Sequence, residues 1–488
     1  MTFNSLTFFV FATVVFAAYW AVRSRRTQNM LLLVVSYVFY GWWDWRFCGL
    51  IAASSAVDFG VGLWLSRTQD EQPGPRRQRH RRTALALSIA TNLGLLGVFK
   101  YYNFFADNLV LGAASLGVSL SPSTLQLVLP VGISFYTFQT LGTTIDVYRG
   151  RLGACRSLVD YFAYVSFFPQ LVAGPIERGA RLLPQFQRDR RFDAGLAADG
   201  LCQALWGFVQ KAALADNLAT LVNDYYIPTS PGPVLAVCTV AFAFQIYWDF
   251  AGYSNIAIGT ARLFGFSLSR NFALPYFSRS VAEFWRRWHI SLSTWFRDYV
   301  YVPLGGNKRG RARQAINILL TFVISGLWHG AAWHFVAWGA INGLAAMPTI
   351  VSGRSRAQPV DTPGGEGSSP GLRGALQMLA TFSIVCVGWV FFRATSVEAA
   401  LQILTRIVTE CGDIAAWSSL AAHEQYLRAI MPLAVLGVMA EWLQRRHPHV
   451  LVLDAWPRWS RWALYTMLFW GAMYVLPETP PEFIYFQF

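Results

Sequence analysis

The stretch Ser325-Gly-Leu-Trp-His-Gly-Ala-Ala-Trp333 places a histidine inside an apolar segment that begins near Ala315. A helix starting at Ala315 would carry His329 about 21 Å along its axis, at ~1.5 Å per residue. Because the hydrocarbon core of a bilayer is only ~30 Å thick, we expect His329 to lie at membrane depth. An ionisable side chain is costly there, which makes His329 a candidate functional residue. The alternative is a neutral imidazole that forms a hydrogen bond between helices.

The rest of the chain has the composition of a membrane protein. Of its 488 residues, 54% are hydrophobic and only 14% are charged, against ~25% charged residues in a typical soluble domain. Apolar stretches of membrane-spanning length recur at 6–22, 30–43, 48–65, 84–100, 126–145, 200–221, 234–261, 315–352 (long enough for two spans), 374–392, 428–443 and 459–477. We therefore predict an all-α polytopic membrane protein, with 1–488 forming a single integral membrane domain. The shorter segment 158–176, interrupted by Pro169 and Pro175, is predicted to be re-entrant.

The net charge of +14 follows a pattern along the chain. Arginines cluster in alternate loops, whereas the intervening loops 102–125 and 223–233 contain no Lys or Arg. Under the positive-inside rule, both termini are predicted to be periplasmic and the basic loops cytoplasmic. Membrane topology therefore explains the charge, and we expect no nucleic-acid partner. The Gly-, Pro- and Ser-rich stretch 352–373 is predicted to be a flexible cytoplasmic loop.

The region 262–313 is long, basic and aromatic, but not apolar enough to cross a bilayer. If 280–299 is one helix, a single face carries Trp285, His289, Leu292 and Phe296. Ser280 can cap that helix, with Glu283 at its third position. An amphipathic helix of this kind is either an interfacial anchor or one wall of a cavity open to the cytoplasm.

Two histidines, His289 and His329, thus approach the membrane from the same side. A neutral imidazole is a suitable general base near pH 7. His329 could remove the proton from an acceptor hydroxyl that attacks an activated acyl carbonyl. A metal site is not expected: His329 and His334 are about 140° apart around a helix, and 315–360 contains no Asp or Glu.

Polar residues also interrupt the apolar segment 234–261. Gln245, Asp249, Tyr253 and Ser254 are costly in lipid and must face protein or a cavity. The pattern leaves two interpretations open for each residue: lining a substrate tunnel, or forming structural hydrogen bonds.

The motifs Phe284-Trp-Arg-Arg-Trp-His289 and Gly326-Leu-Trp-His-Gly330 resemble the histidine motifs of the membrane-bound O-acyltransferase superfamily. Further blocks resemble its bacterial branch that O-acetylates alginate and other polysaccharides. These blocks occupy 132–139, 144–149, 168–176, 245–254, 299–306 and 483–488. The resemblance covers nearly the whole chain.

This resemblance implies an enzyme with a helical core, in which re-entrant and interfacial helices surround a central tunnel. It implies a transmembrane O-acetyltransferase of the bacterial inner membrane, with His329 and His289 as catalytic residues. The acetyl donor is expected to be cytoplasmic acetyl-CoA, a substrate and not a tightly bound cofactor. The expected acceptor is a periplasmic acetyl-accepting or acetylesterase-like partner protein, or an exported polysaccharide such as alginate. Membrane lipids are the remaining expected partner.

Substrate-binding residues are predicted at two places. At the cytoplasmic rim we expect the donor's phosphates and adenine to meet Arg286, Arg287, Trp285 and Trp288, with Arg279 and Arg297 as further candidates. Deeper in the protein we expect a tunnel lined by Trp328 and the four polar residues of 234–261. Two other functions stay open: the D-alanyl transfer protein of teichoic acid modification, and a non-enzymatic transporter or channel.

Overall fold

The computed structural model describes residues 1–68, 72–121, 124–125, 127–172, 174–353, 371–477 and 481–486. The regular elements within these ranges are all helical, which confirms the predicted all-α class. The chain divides into two compact units, one formed by 1–197 with 260–269 and the other by 198–259 with 270–488. Residues 354–370 of the predicted loop lie outside the described ranges. This division is based on packing within each unit and does not test how many domains the chain has. The single integral membrane domain therefore stays a prediction.

The first unit contains nine helices among its described residues. They are α1 (Leu6–Ala21), α2 (Arg25–Gly41), α3 (Arg46–Arg67), α4 (Pro75–Leu96), α5 (Tyr102–Ser115), α6 (Ile133–Tyr148), α7 (Leu158–Ser166), α8 (Phe168–Leu171) and α9 (Gly179–Phe186). The predicted span 126–145 is replaced by α6, which begins later and is buried along nearly its whole length. The predicted re-entrant segment contains the two short helices α7 and α8, separated at Phe167.

The predicted loop 102–125 is helical in its first half. α4 continues through the π-helical turn Gly97–Tyr101 into α5, so that Pro75–Ser115 forms 41 residues of continuous helix. None of the residues of α5 is buried, and its apolar side chains, such as Leu109 and Leu111, are exposed. The stretch is predicted to be a loop because it lies between the predicted spans 84–100 and 126–145.

A buried carboxylate holds three helices of the first unit together. Asp58 on α3 accepts hydrogen bonds from Ser88 Oγ and Asn92 Nδ2 on α4, the latter at 2.8 Å. Thr144 on α6 donates a third, at 3.3 Å. A carboxylate buried among apolar helices needs such partners, because an unpaired buried charge is strongly unfavourable.

The second unit contains the remaining helices. They are α10 (Ala194–Phe208), α11 (Asp216–Tyr225), α12 (Gly232–Leu263), α13 (Val281–Arg287), α14 (Ile290–Phe296), α15 (Gly310–His329), α16 (Trp333–Val351), α17 (Leu372–Arg393), α18 (Val397–Glu410), α19 (Glu424–Leu443) and α20 (Arg458–Tyr474). The last turn of α12 is grouped with the first unit. π-helical turns follow α10 at Val209–Ala215 and α14 at Arg297–Tyr301.

Five helices in the described part of the chain are long and apolar enough to cross a bilayer. They are α3, the continuous helix Pro75–Ser115, α12, α16 and α17. This confirms the prediction of a polytopic membrane protein. α15, which carries His329, is not among them, although the apolar run from Ala315 predicted a span. Its first turn carries Arg311 and Arg313, and its interior contains Asn317, so its polar residues must be accommodated by neighbouring helices.

The predicted single helix over 280–299 is wrong. α13 ends at Arg287 and α14 begins at Ile290, with Trp288 extended and His289 in the left-handed region at φ +41°. The predicted cap is confirmed, since Ser280 Oγ accepts a hydrogen bond from Glu283 N at 3.1 Å. The two helices therefore do not present one continuous face, and His289 lies at the corner between them.

α15 and α16 form a hairpin whose helices approach at glycines. A Cβ atom at Gly326 would lie 2.2 Å from Phe335 O, and one at Gly339 would lie 2.4 Å from Phe322 O. Real side chains do not tolerate such distances. Small residues at both positions therefore let the two backbones touch, as in other membrane helix pairs.

This contact yields a stability prediction. Gly339→Ala should separate α15 from α16 and destabilise the protein by about 1–3 kcal/mol, the usual cost of overpacking. The thermal unfolding midpoint in detergent should fall. Gly60→Ala on α3 is the matched control, because no heavy atom lies within 4 Å of the added Cβ. Equal midpoints for the two variants would contradict the close contact.

Candidate active site

His329 is the last residue of α15 and is buried, at 4% exposure. Aromatic rings surround its imidazole: the ring centroids of Trp338 and Phe392 lie 4.9 Å and 5.4 Å away. Trp338 comes from α16 and Phe392 from α17, so three helices converge on this histidine. Such packing fixes the imidazole and keeps bulk water away from it.

His289 is fully buried at the corner between α13 and α14. Its positive φ is one of two among the described non-glycine residues. A left-handed residue that is not glycine costs of order 1–3 kcal/mol and persists only where the surrounding structure imposes it. Backbone strain of this kind is frequent at functional sites, which supports a functional role for His289.

Asn271 determines which nitrogen of His289 carries the proton. Asn271 Oδ1 lies 3.1 Å from His289 Nδ1 and accepts hydrogen bonds from Ser291 N at 3.4 Å and Ser291 Oγ at 2.8 Å. A backbone N–H can only donate, so the amide atom facing Ser291 is oxygen. His289 must then donate its Nδ1–H to that oxygen. The Nε2 atom consequently carries the lone pair and is the basic nitrogen.

Burial lowers the pKa of His289 to about 3. Taking an imidazolium out of water without a carboxylate beside it is unfavourable, so burial favours the neutral form. His289 is therefore neutral at physiological pH. The neutral ring carries a lone pair at Nε2, an atom that can accept a proton or a hydrogen bond.

The two histidines share two aromatic neighbours. The ring centroid of Trp328 lies 4.9 Å from that of His329 and 6.4 Å from that of His289. The ring of Tyr485 lies 5.7 Å from His329 and 6.3 Å from His289. The structure thus brings together two motifs that are 40 residues apart in sequence. Tyr485, from the end of the chain, lies beside both imidazoles.

The predicted tunnel residues of α12 occupy different surroundings. Ser254 Oγ accepts a hydrogen bond from Asn271 Nδ2 at 3.2 Å, so it supports the partner of His289. The Tyr253 ring packs on Phe483, with centroids 4.3 Å apart. Asp249 forms an ion pair with Lys211 at 2.7 Å. Gln245 is buried, and within the described part of the chain its Oε1 has no hydrogen-bond partner.

A groove with a volume of about 270 Å³ lies beside α13, α14, α15 and α16. Apolar side chains such as Phe296 and Phe322 line it, together with Trp285, Arg286 and Arg297. It reaches Ser325, one helical turn before His329. The groove therefore combines an apolar wall with two guanidinium groups.

Two of the predicted rim residues lie elsewhere. Arg287 is 2% exposed and donates to Glu283 Oε1 and to Ala273 O, each at 3.1 Å. The Trp288 ring is 1% exposed and packs 4.9 Å from Trp389. Both side chains are buried and do not line the groove beside α13 to α16.

Several residues at this site were not predicted from the sequence. Asn271 lies in an irregular loop and carries no periodic signal. Lys211 lies in the apolar segment 200–221, where a lysine requires a buried partner, and this signal could have paired it with Asp249. His334 was considered above, with His329, as a possible metal ligand. Its Nδ1 atom lies 3.0 Å from Phe391 O on α17.

Comparison with known proteins identifies the family to which this chain belongs. Residues 153–362 match the model of the membrane-bound O-acyltransferase family. The probable alginate O-acetylase AlgI of Azotobacter vinelandii is 40% identical over 404 residues, covering 83% of this chain and 77% of that protein. This chain belongs to the membrane-bound O-acyltransferase family. It is therefore a membrane O-acyltransferase, and the resemblance of its two histidine motifs to that family is confirmed.

Two further relatives show how far the similarity extends. The peptidoglycan O-acetyltransferase of Helicobacter pylori is 29% identical over 536 residues, covering 100% of this chain and 98% of that protein. The teichoic acid D-alanyltransferase of Streptococcus thermophilus is 30% identical, but over 233 residues that cover 44% of this chain and 56% of that protein. The similarity to the alginate O-acetylase and the peptidoglycan O-acetyltransferase thus covers more of this chain than the similarity to the D-alanyltransferase.

The low pKa of His289 predicts a pH effect on stability. The unfolded chain binds a proton at this histidine below about pH 6.5, whereas the folded protein resists protonation until about pH 3. Stability should therefore fall as the pH drops below 6.5. In His289→Asn, which lacks this titration and tolerates a positive φ, the thermal midpoint should fall less between pH 6.5 and 4.

The control is His447→Asn, which replaces an exposed histidine. Its midpoint should follow that of the unmodified protein across the same pH range. If the curves of His289→Asn and the unmodified protein stay parallel, His289 is not held neutral by burial.

Proposed function

We propose that this enzyme is an O-acetyltransferase that transfers acetyl from cytoplasmic acetyl-CoA to a hydroxyl on the periplasmic side of the inner membrane. The observation that carries the proposal is the pair of buried histidines sharing Trp328 and Tyr485. The names of the relatives, alginate O-acetylase and peptidoglycan O-acetyltransferase, supply the acetyl group and the class of acceptor.

In the proposed reaction His329 acts as the general base. It removes the proton of the acceptor hydroxyl while the oxygen attacks the thioester carbonyl. The new C–O bond forms, the C–S bond breaks, and the proton passes from His329 to the leaving thiolate. The products are an acetyl ester and the free thiol of coenzyme A, so the reaction needs no net supply of protons.

The surroundings of His329 suit this role. Its aromatic neighbours exclude water, which prevents hydrolysis of the thioester and strengthens the electrostatic interactions in the site. His329 is also the C-terminal residue of α15. The partial negative charge at a helix C-terminus stabilises the positive charge that the imidazole acquires when it accepts the proton.

His289 is proposed as the second catalytic residue. Its Nδ1–H is donated to Asn271, so Nε2 is the ring nitrogen that can act as an acceptor. A neutral hydrogen-bond acceptor near His329 can orient the attacking hydroxyl, while His329 takes up the proton. The left-handed backbone and the amide of Asn271 fix this orientation before substrate binds.

The catalytic role of His329 is tested by His329→Gln. The acetyl ester content of the exported polysaccharide, released by mild alkali, should fall by at least about 100-fold, the usual contribution of a general base. The matched control is His334→Gln, which replaces a buried histidine five residues further on that lies against Phe391 O. Near-normal acetylation in His329→Gln, with equal amounts of protein in the membrane, would contradict the assignment.

The donor is proposed to enter along the groove beside α13 to α16. Acetyl-CoA joins an anionic nucleotide to a long, weakly polar arm that ends in the thioester. Arg286 and Arg297 suit the phosphates, because a guanidinium binds phosphate through a planar fork. The apolar wall suits the arm, and Ser325 lies at the end nearest His329. Arg287 and Trp288 are excluded from this role by their burial.

The proposed direction of transfer follows from the charge pattern. Under the positive-inside rule, the basic loops predict that the groove's arginines face the cytoplasm and that both termini face the periplasm. The acetyl group would then leave toward a periplasmic acetyl-accepting or acetylesterase-like partner, or directly to the polysaccharide. The shorter similarity to the D-alanyltransferase gives that alternative less support.

The donor groove is tested by replacing Arg286 and Arg297 together with Gln. In inside-out vesicles, the acetyl-CoA concentration for half-maximal activity should rise about tenfold, ~1.4 kcal/mol. Its dependence on salt should weaken, since screening acts on the phosphate attraction. Arg311→Gln with Arg313→Gln removes the same charge from exposed positions of α15 and is the control. An equal response of both double variants would place the donor elsewhere.

A further inference from the structure

The end of the chain enters the second unit beside the two histidines. Phe483 and Ile484 are buried, and Ile484–Phe486 form a short 3₁₀ turn. The ring of Tyr485 packs 4.5 Å from Phe250 as well as against both imidazoles. A six-residue segment with one short turn has little structure of its own, so contacts with the helices must hold it in place.

An ion triad lies beside this segment. Lys211 Nζ is 2.6 Å from Asp216 Oδ1 and 2.7 Å from Asp249 Oδ1. All three side chains are at most 4% exposed. An ammonium group has three N–H donors and no acceptor. The two carboxylates account for two of these donors.

Two polar groups of the triad bind the backbone of the segment. Lys211 Nζ donates to Pro481 O at 3.2 Å, and Asp249 Oδ2 accepts from Ile484 N at 2.7 Å. The triad therefore holds two backbone groups on either side of Phe483. Between them the Phe483 ring packs on Tyr253, over which Lys211 Nζ also lies at 5.5 Å.

Local backbone geometry makes the triad possible. Lys211 lies in the π-helical turn Val209–Ala215, a type of distortion that is frequent at functional sites. α10 and α12 approach at two glycines, so a Cβ at Gly252 would lie 2.7 Å from Gly207 O and 2.9 Å from Lys211 N. The backbone of Lys211 thus contacts α12 directly, within reach of Asp249 one turn away.

Hydrogen bonding couples the triad to the segment. The carboxylate of Asp249 is buried, where an unpaired charge is unfavourable, and the N–H of Ile484 supplies a donor to it. Without the segment, one N–H of Lys211 and one oxygen of Asp249 would lose these protein partners. The docked segment therefore supplies hydrogen bonds to two of the three residues of the triad.

We propose that Lys211, Asp216 and Asp249 are positioning residues that anchor the segment 481–486, so that the ring of Tyr485 stays against His289 and His329. The inference rests on the proposed function in one respect, namely that the two histidines catalyse the acetyl transfer. In this proposal Asp249 acts through the segment and does not contact substrate. One interpretation of the sequence had instead been that Asp249 lines the substrate tunnel. A loosened anchor should lower the turnover number and leave the donor's half-saturating concentration unchanged.

The experiment removes one hydrogen bond and leaves the charges intact. Ile484→Pro deletes the N–H that Asp249 accepts, and a proline is tolerated at the first position of a helical turn. Ile484→Ala is the matched control, because it shortens the side chain and keeps the N–H. Hydrogen–deuterium exchange of the full-length enzyme in detergent, followed by mass spectrometry, reports the protection of residues 483–486. Acetyl transfer from acetyl-CoA reports the turnover number.

In the unmodified protein and in Ile484→Ala, the amides of 483–486 should exchange slowly. In Ile484→Pro the remaining amides, those of residues 483, 485 and 486, should exchange at least tenfold faster, and the turnover number should fall at least tenfold at an unchanged half-saturating acetyl-CoA concentration. Asp249→Asn, which introduces an N–H₂ group opposite a donor, should act in the same direction. These results together would support the anchor.

Three results would overturn it. One is exchange of 483–486 in the unmodified protein at the rate of an unstructured peptide, which needs no variant. Another is unchanged protection in both Ile484→Pro and Asp249→Asn. The third is faster exchange with an unchanged turnover number. Because exchange is measured without substrate, failure of the acetyl-transfer proposal would leave the anchor's own test intact.

Discussion

Polar groups buried among apolar helices must be paired, and this constraint governs the arrangement of both units. In the first unit, Asp58 is compensated by hydroxyl and amide groups from neighbouring helices. In the second, His289 is held by Asn271, and Lys211 by two carboxylates. Most of these pairings join different elements, such as α3 with α4 and α6, and the turn after α10 with α12. The polar residues thus specify which helices meet, whereas the apolar residues supply the bulk of the buried surface.

The surroundings of the two histidines follow from the same constraint. A neutral imidazole can be buried with a single amide partner, but an imidazolium cannot. Burial therefore keeps His289 neutral, and the amide of Asn271 determines the nitrogen that faces the site. The aromatic rings around His329 exclude water and contribute rigid walls. Acyl transfer from a thioester needs these conditions, because water competes with the acceptor hydroxyl for the same carbonyl.

Much of this could be predicted from the sequence, and the limits have physical causes. Apolar runs located most helices, and the isolation of His329 within such a run identified it as a candidate residue. The break at His289 could not be predicted, because a positive φ depends on a tertiary contact with Asn271. Tyr485 carries no periodic signal that relates it to a helix more than 150 residues earlier. Arg287 is predicted at the rim because the region 262–313 is basic and aromatic, whereas the structure buries its side chain against Glu283.

The continuous helix Pro75–Ser115 has a consequence for the membrane itself. Its 41 residues measure about 62 Å at ~1.5 Å per residue, roughly twice the ~30 Å of the hydrocarbon core. Even a 40° tilt leaves its length beyond one crossing. None of the residues of α5, which follows the π-helical turn at Gly97–Tyr101, is buried. A straight helix of this length must therefore extend beyond the hydrocarbon core of the bilayer on at least one side.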